Sequence, residues 1–185
     1  MPKRYVTSTL DIVGWFCDRA SKGKHVLSSK QLQNLLFLAQ MHHTSKNGRV
    51  LVPAMFVCSS DGFYEPTTEV VLLHGLPLDD KKNSLTKDVE LLLESVWQRY
   101  SSLSEQELRE FITSLACWKN FYSADENVII NPLEISSLFL NSITKVKSVL
   151  EDKPKIRLSQ NGPVAVSPWH PRKLNESTST SKKEK

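Results

Sequence analysis

The sequence predicts a mainly α fold, a compact five-helix domain with a central apolar helix and a small two-stranded β element between helices two and three. Two observations support this prediction. Apolar residues recur at helical spacing in five segments, whereas residues 49–60 are rich in β-branched and aromatic residues and contain a proline. We predict one helical domain over residues 1–150 and an extended, disordered, basic C-terminal tail over residues 151–185.

The first two predicted helices lie near the N-terminus. Helix one covers residues 9–20, where apolar side chains recur every three or four positions, and it ends at Gly23. Helix two opens with Ser28 and Gln31, the spacing of a capping box in which each side chain bonds a free backbone amide. Phe37 and Leu38 widen its apolar stripe beyond one face, so we predict that helix two is the central helix.

The segment after helix two is predicted to be extended. Pro53 favours an edge strand within residues 49–60, and Asp61-Gly62 is a turn dipeptide. Residues 68–75 are compatible with a second short strand or a single helical turn. A loop is predicted to follow at residues 76–84.

The three remaining helices are predicted from periodicity and capping signals. Helix three covers residues 86–100, with apolar residues on one face. Ser104 and Glu107 form a second capping-box pattern, which opens helix four over residues 104–122. Asn131 followed by Pro132 is typical of a helix start, and it opens helix five through about residue 150.

Charge and composition exclude several classes of function. The net charge of +4 belongs to residues 151–185, which hold eight basic and four acidic residues, so residues 1–150 are neutral. A neutral body lacks the basic cluster that nucleic-acid binding needs. No apolar run approaches the roughly 20 residues of a membrane span, and no signal peptide is recognisable. We therefore expect a cytoplasmic protein that binds neither nucleic acid nor membrane.

The cysteines and histidines were considered as catalytic or metal-binding residues. The three cysteines are far apart among apolar neighbours, as expected of reduced core residues. His42 and His43 diverge by about 100° on a helix, so they are poorly placed to ligate one metal, and we interpret them as marking where helix two reaches solvent. A dyad of Cys58 and His74 would need a spatial approach that the sequence does not indicate. We expect no metal, no cofactor and no catalysis.

Four sequence motifs occur in a recognisable order. They are "LQNLLFLAQ", then "SSDGFYEP", then a valine and tyrosine four residues apart, then a serine-to-leucine helix that leads to a tryptophan. The residues that carry them are Leu32, Gln33, Leu35, Leu36, Phe37, Gly62, Pro66, Val96, Tyr100, Ser104, Leu108 and Trp118. Together they make residues 8–122 resemble the bacterial and phage-associated Panacea family, whose domains are also called SocA-like or GepA-like.

The resemblance implies a non-enzymatic, antitoxin-like function in a toxin-antitoxin system. Members of the family neutralise toxins by stoichiometric binding, and at least one acts as an adaptor that delivers its toxin to a cytosolic AAA+ protease. Two alternatives remain open: a repurposed protein-interaction factor without a toxin partner, and a Cys/His-dependent enzyme. The chain departs from the family at Asn34, where lysine is usual, and at Phe63 and Tyr64, where the family has Pro-Val.

Aromatic residues are the predicted contacts to a protein partner. Phe63 and Tyr64 lie in a turn where polar residues are usual, and Trp118 and Tyr122 lie in the last part of the predicted fourth helix. A core position is the competing interpretation of Trp118. In the tail, Trp169 lies in a proline-rich segment that could dock on this protein's own core or on another protein.

Overall fold

The computed structural model describes residues 6–75, 85–151, 155–159 and 162–166, with side chains described through residue 144. The described residues form seven helices: α1 (Thr9–Lys22), α2 (Ser29–Asn47), α3 (Pro66–Leu73), α4 (Lys87–Tyr100), α5 (Glu105–Ser114), α6 (Ala116–Lys119) and α7 (Pro132–Glu151). They also form five strands: β1 (Phe56–Ser59), β2 (Gly62–Tyr64), β3 (Val128–Ile130), β4 (Lys155–Ser159) and β5 (Gly162–Val166). The predicted loop at residues 76–84 lies outside the described residues.

The chain divides into two compact units, Met1–Thr144 and Lys145–Lys185. The first unit contains a three-stranded antiparallel sheet in the order β2-β1-β3. In the second unit, β4 pairs with β5 as an antiparallel hairpin, so extended backbone occurs in part of the predicted extended tail. Trp169 and the rest of the predicted disordered segment lie outside the described residues.

Helix α2 is the centre of the first unit. Every residue from Leu32 through Met41 is buried, and α2 packs against α1, α3, α4, α5 and β2. Phe37 contacts the rings of three phenylalanines from other elements: Phe56, Phe63 and Phe139. The prediction that helix two is central is therefore confirmed. An apolar stripe wider than one face is buried because neighbours surround the helix.

Both predicted capping boxes are present. The Ser28 hydroxyl accepts a hydrogen bond from the Gln31 amide, and the Gln31 side chain accepts one from the Ser28 amide. Ser104 and Glu107 make the same reciprocal pair at the start of α5. Asn131 also caps α7, because its Oδ1 accepts a hydrogen bond from the Leu133 amide at 3.0 Å. The hydrogen bonds that cap these helices join residues at most three positions apart in the sequence, so the sequence predicts them well.

The mainly α class is confirmed, but three details of the prediction are wrong. Residues 66–73 form a two-turn helix, because the Glu65 carboxylate caps it and Pro66 occupies its first turn. The fourth predicted helix is broken at Leu115, whose extended backbone and buried side chain separate α5 from α6. The sheet has a third strand, β3, which places β1 in the middle of the sheet; Pro53 precedes β1, which begins at Phe56.

Candidate functional site

The strand register places three side chains in a row on the face of the sheet that points away from α2. Val57 of β1 lies directly opposite Tyr64 of β2 on one side and Ile129 of β3 on the other. We call these three residues the outer row. Val57 is buried, Tyr64 is half-buried, and Ile129 is 66% exposed. The outer row is therefore an apolar strip whose exposure is greatest at the β3 edge.

Phe63 belongs to the core and not to the exposed surface that the sequence predicts. It is the inward-facing residue of β2, only 2% of its surface is exposed, and its ring stacks on that of Phe37 with centroids 4.0 Å apart. Successive strand residues point to opposite faces, so a dipeptide in a strand cannot expose both side chains equally. The expectation that Phe63 and Tyr64 are both exposed is wrong for Phe63, and Tyr64 keeps a partly exposed surface.

The turn between β1 and β2 is fixed to two helices by charged side chains. Asp61 accepts a hydrogen bond from Lys30 of α2 at 2.6 Å and lies 3.4 Å from the guanidinium of Arg109 in α5. The hydrogen bonds from Lys30 outweigh partial burial and hold the pKa of Asp61 below its usual range. Because two cations flank one carboxylate, the turn has a defined position relative to both helices.

Gly62 follows this turn and cannot be replaced without strain. Its φ of 122° lies in the region that favours glycine, and an added Cβ would lie 2.5 Å from Oδ1 of Asn34. Asn34 is buried; its amide nitrogen donates to the Asp61 carbonyl at 3.4 Å, and its Oδ1 has no hydrogen-bond partner among the described residues. Close packing against α2 thus accounts for a glycine at this position.

Trp118 and Tyr122 form a stacked pair beside the same turn. Their ring centroids are 4.4 Å apart at an interplanar angle of 14°. The Trp118 indole N–H donates a hydrogen bond to the Ser59 carbonyl at 2.8 Å, and Ser59 is the last residue of β1. Both rings are half-buried and pack against the core. The structure therefore brings Trp118 and Tyr122 to the sheet end that also carries the predicted turn.

Two glutamines of α2 hold the segment that contains the sheet. The Gln33 side chain accepts from the Glu65 amide at 3.0 Å and donates to the Glu65 carbonyl at 3.3 Å. Gln40 makes the same pair of bonds with Val52, both at 3.1 Å. Each glutamine thus reproduces the paired backbone contacts of a neighbouring strand. The sequence predicts Gln33 only as a motif residue, and no sequence pattern indicates that Gln40 binds the main chain of Val52.

Glu65 is a buried carboxylate that receives hydrogen bonds only from neutral donors in the described part of the chain. Its Oε2 accepts from the Thr68 amide at 2.7 Å and from the hydroxyls of Thr68 and Thr9, while Oε1 accepts from the Thr67 amide. Burial raises the pKa of Glu65, but the bonds from Thr68 and Thr67 outweigh it and hold that pKa below its usual range. The arrangement caps α3 and links it to α1.

The motif residues behind the family resemblance are mostly structural in this chain. Those that lie buried in the core are Leu32, Leu35, Leu36, Phe37, Val96, Tyr100 and Leu108. Ser104 caps α5, and Pro66 begins α3. Only Trp118 combines a motif position with a partly exposed surface near the outer row.

The two histidines of α2 pack against neighbouring segments and do not mark the end of the helix. His43 is buried with its Nδ1 3.0 Å from the Arg49 carbonyl, and His42 has its Nε2 3.0 Å from the Tyr100 hydroxyl. The helix continues to Asn47, so the expectation that they mark its emergence into solvent is wrong. Burial lowers the pKa of His43. Within residues 6–75 and 85–144, no cluster of three His, Cys, Asp or Glu residues is placed to hold a metal ion.

The cysteines do not have the chemistry of activated nucleophiles. Cys58 and Cys117 are fully buried, and Cys17 is half-buried. Burial raises the pKa of Cys58 to about 11 and that of Cys117 to about 12. A catalytic cysteine needs a lowered pKa, because the thiolate is the nucleophile. The geometry therefore gives the Cys58-His74 alternative no support.

Ile129 is the surface residue that sequence reasoning missed. A strand of three residues is too short for period-two alternation to be recognised, so Val128–Ile130 was not predicted as a strand. The only available signal was the sequence "VII", two adjacent β-branched isoleucines after a valine.

No protein-family model, curated protein or solved structure matches this chain. Among the described helices, none is long and apolar enough to cross a bilayer.

Proposed function

We propose that this protein is a non-enzymatic protein-binding module, antitoxin-like, that neutralises a partner protein by stoichiometric binding or delivers it to a cytosolic AAA+ protease as an adaptor. The contact surface we propose is the outer row together with the Trp118-Tyr122 pair. The observation that carries the proposal is the exposed Ile129 on the edge strand β3, which lies in register with Val57 and Tyr64 on the same face of the sheet.

An exposed aliphatic side chain on an edge strand favours a protein contact. Natural edge strands are commonly protected by charge, proline or a covering element, because an uncovered apolar edge promotes association. Here the edge residue of the outer row is isoleucine, and the nearby Met55 and Leu133 are also exposed. Tyrosine and tryptophan contribute strongly to interface affinity. Tyr64 lies on the other edge strand, β2, and Trp118 bonds to the last residue of the middle strand, β1.

The turn supports binding because it is already ordered. Lys30, Arg109 and Asn34 fix Asp61 from two helices, and Trp118 fixes the end of β1. A surface held in one conformation loses little entropy on association. The sequence resemblance supports the antitoxin and adaptor roles, and the strand register and the exposure of Ile129 support the binding surface.

The test is a comparison of two lysine variants at exposed aliphatic positions. Ile129→Lys alters the outer row, and Leu73→Lys alters a similarly exposed leucine of α3 as the matched control. Protein captured from a bacterial cytosolic extract on the wild type is purified and titrated calorimetrically. We expect one-to-one binding without turnover, weakened by about 2 kcal/mol or more by Ile129→Lys and unchanged by Leu73→Lys.

Co-expression separates the antitoxin from the alternative interaction factor. If the captured partner arrests growth when expressed alone, co-expression with the wild type restores growth and co-expression with Ile129→Lys does not. A partner that is harmless alone identifies an interaction factor without a toxin. Equal binding by both lysine variants and the wild type contradicts the proposed surface.

A further inference from the structure

A cleft of about 480 Å³ lies between the C-terminal part of α2 and α4, away from the residues that form the outer row. The residues that line it include His42, Lys46, Asp88, Leu91, Leu92 and Arg99. His42 Nε2 lies 3.0 Å from the hydroxyl of Tyr100, the last residue of α4, so the C-terminal part of α2 lies against α4 beside the cleft. The walls are thus two regular helices, both in the first unit.

The floor of the cleft is apolar and about three helical turns long. Val89 and Val96 are buried beneath it, Leu92 is half-buried, and Leu91 is 62% exposed. From Asp88 to Arg99 α4 advances by about 16 Å at 1.5 Å per residue. An exposed leucine beside a half-buried one gives the cleft an apolar centre that lies open to solvent.

The rim of the cleft is mainly basic. Lys46 and Arg99 are exposed on opposite walls, and Asp88 is the one carboxylate among the described residues that line the cleft. The Arg99 guanidinium lies 6.0 Å from the centroid of the Tyr100 ring. The ion pairs in the described part of the chain are Arg19-Glu94, Lys30-Asp61 and Arg109-Asp61, so neither Lys46 nor Arg99 takes part in one. The two basic groups are therefore available to carboxylates of another molecule.

We propose that this cleft is a second docking site, which takes an acidic amphipathic helix of a partner protein. The helix would lay apolar side chains at spacing three and four against Leu91 and Leu92, and it would direct aspartate or glutamate side chains toward Lys46 and Arg99. A groove between two helices with an apolar centre and a charged rim suits this mode of recognition. Charge complementarity commits the site to an acidic occupant.

The experiment measures binding of a labelled synthetic peptide of about 16 residues, long enough for four helical turns. The peptide carries leucines at spacing three and four with flanking glutamates, and its matched counterpart carries lysines in place of the glutamates. We expect saturable binding of the acidic peptide by fluorescence anisotropy, at least tenfold tighter than binding of the lysine peptide. Raised salt should weaken it, because the rim contacts are solvent-exposed ion pairs.

Paired variants assign the binding to the cleft. Leu91→Ser and Arg99→Glu should each weaken binding of the acidic peptide about tenfold. Leu73→Ser on α3 and Lys119→Glu on α6 are the matched controls and should bind as the wild type does. Lys46→Glu provides a second test of the rim if Arg99→Glu disturbs folding, which circular dichroism reports.

Three results would overturn the proposal: no binding of the acidic peptide by the wild type, equal binding of both peptides, or tighter binding of a single-stranded oligonucleotide at the same concentration. The Ile129→Lys variant keeps this test separate from the proposed function. Ile129→Lys should bind the acidic peptide as the wild type does. Failure of the proposed function is therefore seen as unchanged partner binding by Ile129→Lys, and failure of the cleft proposal as unchanged peptide binding by Leu91→Ser.

Discussion

The ring of Phe63 stacks on that of Phe37, with centroids 4.0 Å apart and an interplanar angle of 16°. This contact fastens β2 to the central helix, and Phe56 and Phe139 meet the same Phe37 ring edge-on. Aromatic contacts of this kind add to the free energy gained from burial. The sheet is therefore attached to α2 through one shared aromatic centre.

The first prediction concerns the stability of this centre. Phe63→Ala should lower the free energy of unfolding by about 3–5 kcal/mol, because it leaves a cavity against Phe37. Tyr64→Ala, the neighbour on the opposite face, should cost less than about 1.5 kcal/mol. Urea denaturation followed by circular dichroism measures both. Equal costs for the two variants would contradict the assignment of their faces.

The second prediction concerns Gln33. Gln33→Ala leaves the Glu65 backbone amide without its partner and removes one of the two hydrogen bonds to the Glu65 carbonyl, which still accepts from the Glu69 amide at 2.9 Å. It should cost about 1–3 kcal/mol of unfolding free energy. Gln98→Ala is the matched control, since Gln98 is exposed and bonds only to Glu94 among the described side chains. That variant should change stability by less than about 0.5 kcal/mol. A neutral Gln33→Ala would show that its hydrogen bonds to Glu65 are replaced by water.

The third prediction concerns pH and Glu65. Hydrogen bonds hold the pKa of Glu65 below the ordinary value of 4.5, so the folded state favours the ionised form. This contribution to stability is present above pH 4.5 and is lost as the pH falls through the lower folded pKa. Urea midpoints measured between pH 7 and pH 3 should fall less steeply in Glu65→Gln than in the wild type. Parallel curves for the two proteins would refute the linkage.

The fourth prediction concerns thiol reactivity. Burial raises the pKa of Cys58 to about 11 and that of Cys117 to about 12, so neither forms appreciable thiolate near neutral pH. A colourless disulfide reagent such as dithionitrobenzoate should react with neither thiol in the folded protein at pH 8, and with all three cysteines after unfolding in guanidinium. Rapid labelling of Cys58 in the folded protein would restore the cysteine enzyme as a candidate.

The sequence predicts those features of the fold that depend on neighbouring residues. The capping pairs Ser28-Gln31 and Ser104-Glu107 are local, so spacing alone identifies them. The cap on α3 is less recognisable, because glutamate is not among the preferred residues at a helix start and Glu65 acts there through its long side chain. The breadth of the apolar stripe on α2 likewise indicates burial without any knowledge of its partners.

The candidate site could be predicted only in part, because strand register is non-local. The sequence identifies Tyr64, Trp118 and Tyr122 as candidate contacts to a partner. In the structure, Tyr64 lies on β2, and Trp118, stacked on Tyr122, bonds to the end of β1. The sequence does not show that Phe63 faces α2, since that depends on pairing between β1 and β2. Nor does it reveal Ile129, because the pairing of β3 joins residues about 70 positions apart in the chain.

The hydrogen bonds of Gln33 and Gln40 have a consequence for how this protein could diversify. Both glutamines bind main-chain groups of Glu65 and Val52, and main-chain groups are present whatever side chain a position carries. Side chains on the far face of the sheet can therefore be exchanged while the strands keep their place on α2. The fold separates a support held through main-chain contacts from a more exposed surface, so new partners could be acquired through substitutions at positions 64 and 129, while the buried Val57 between them is kept.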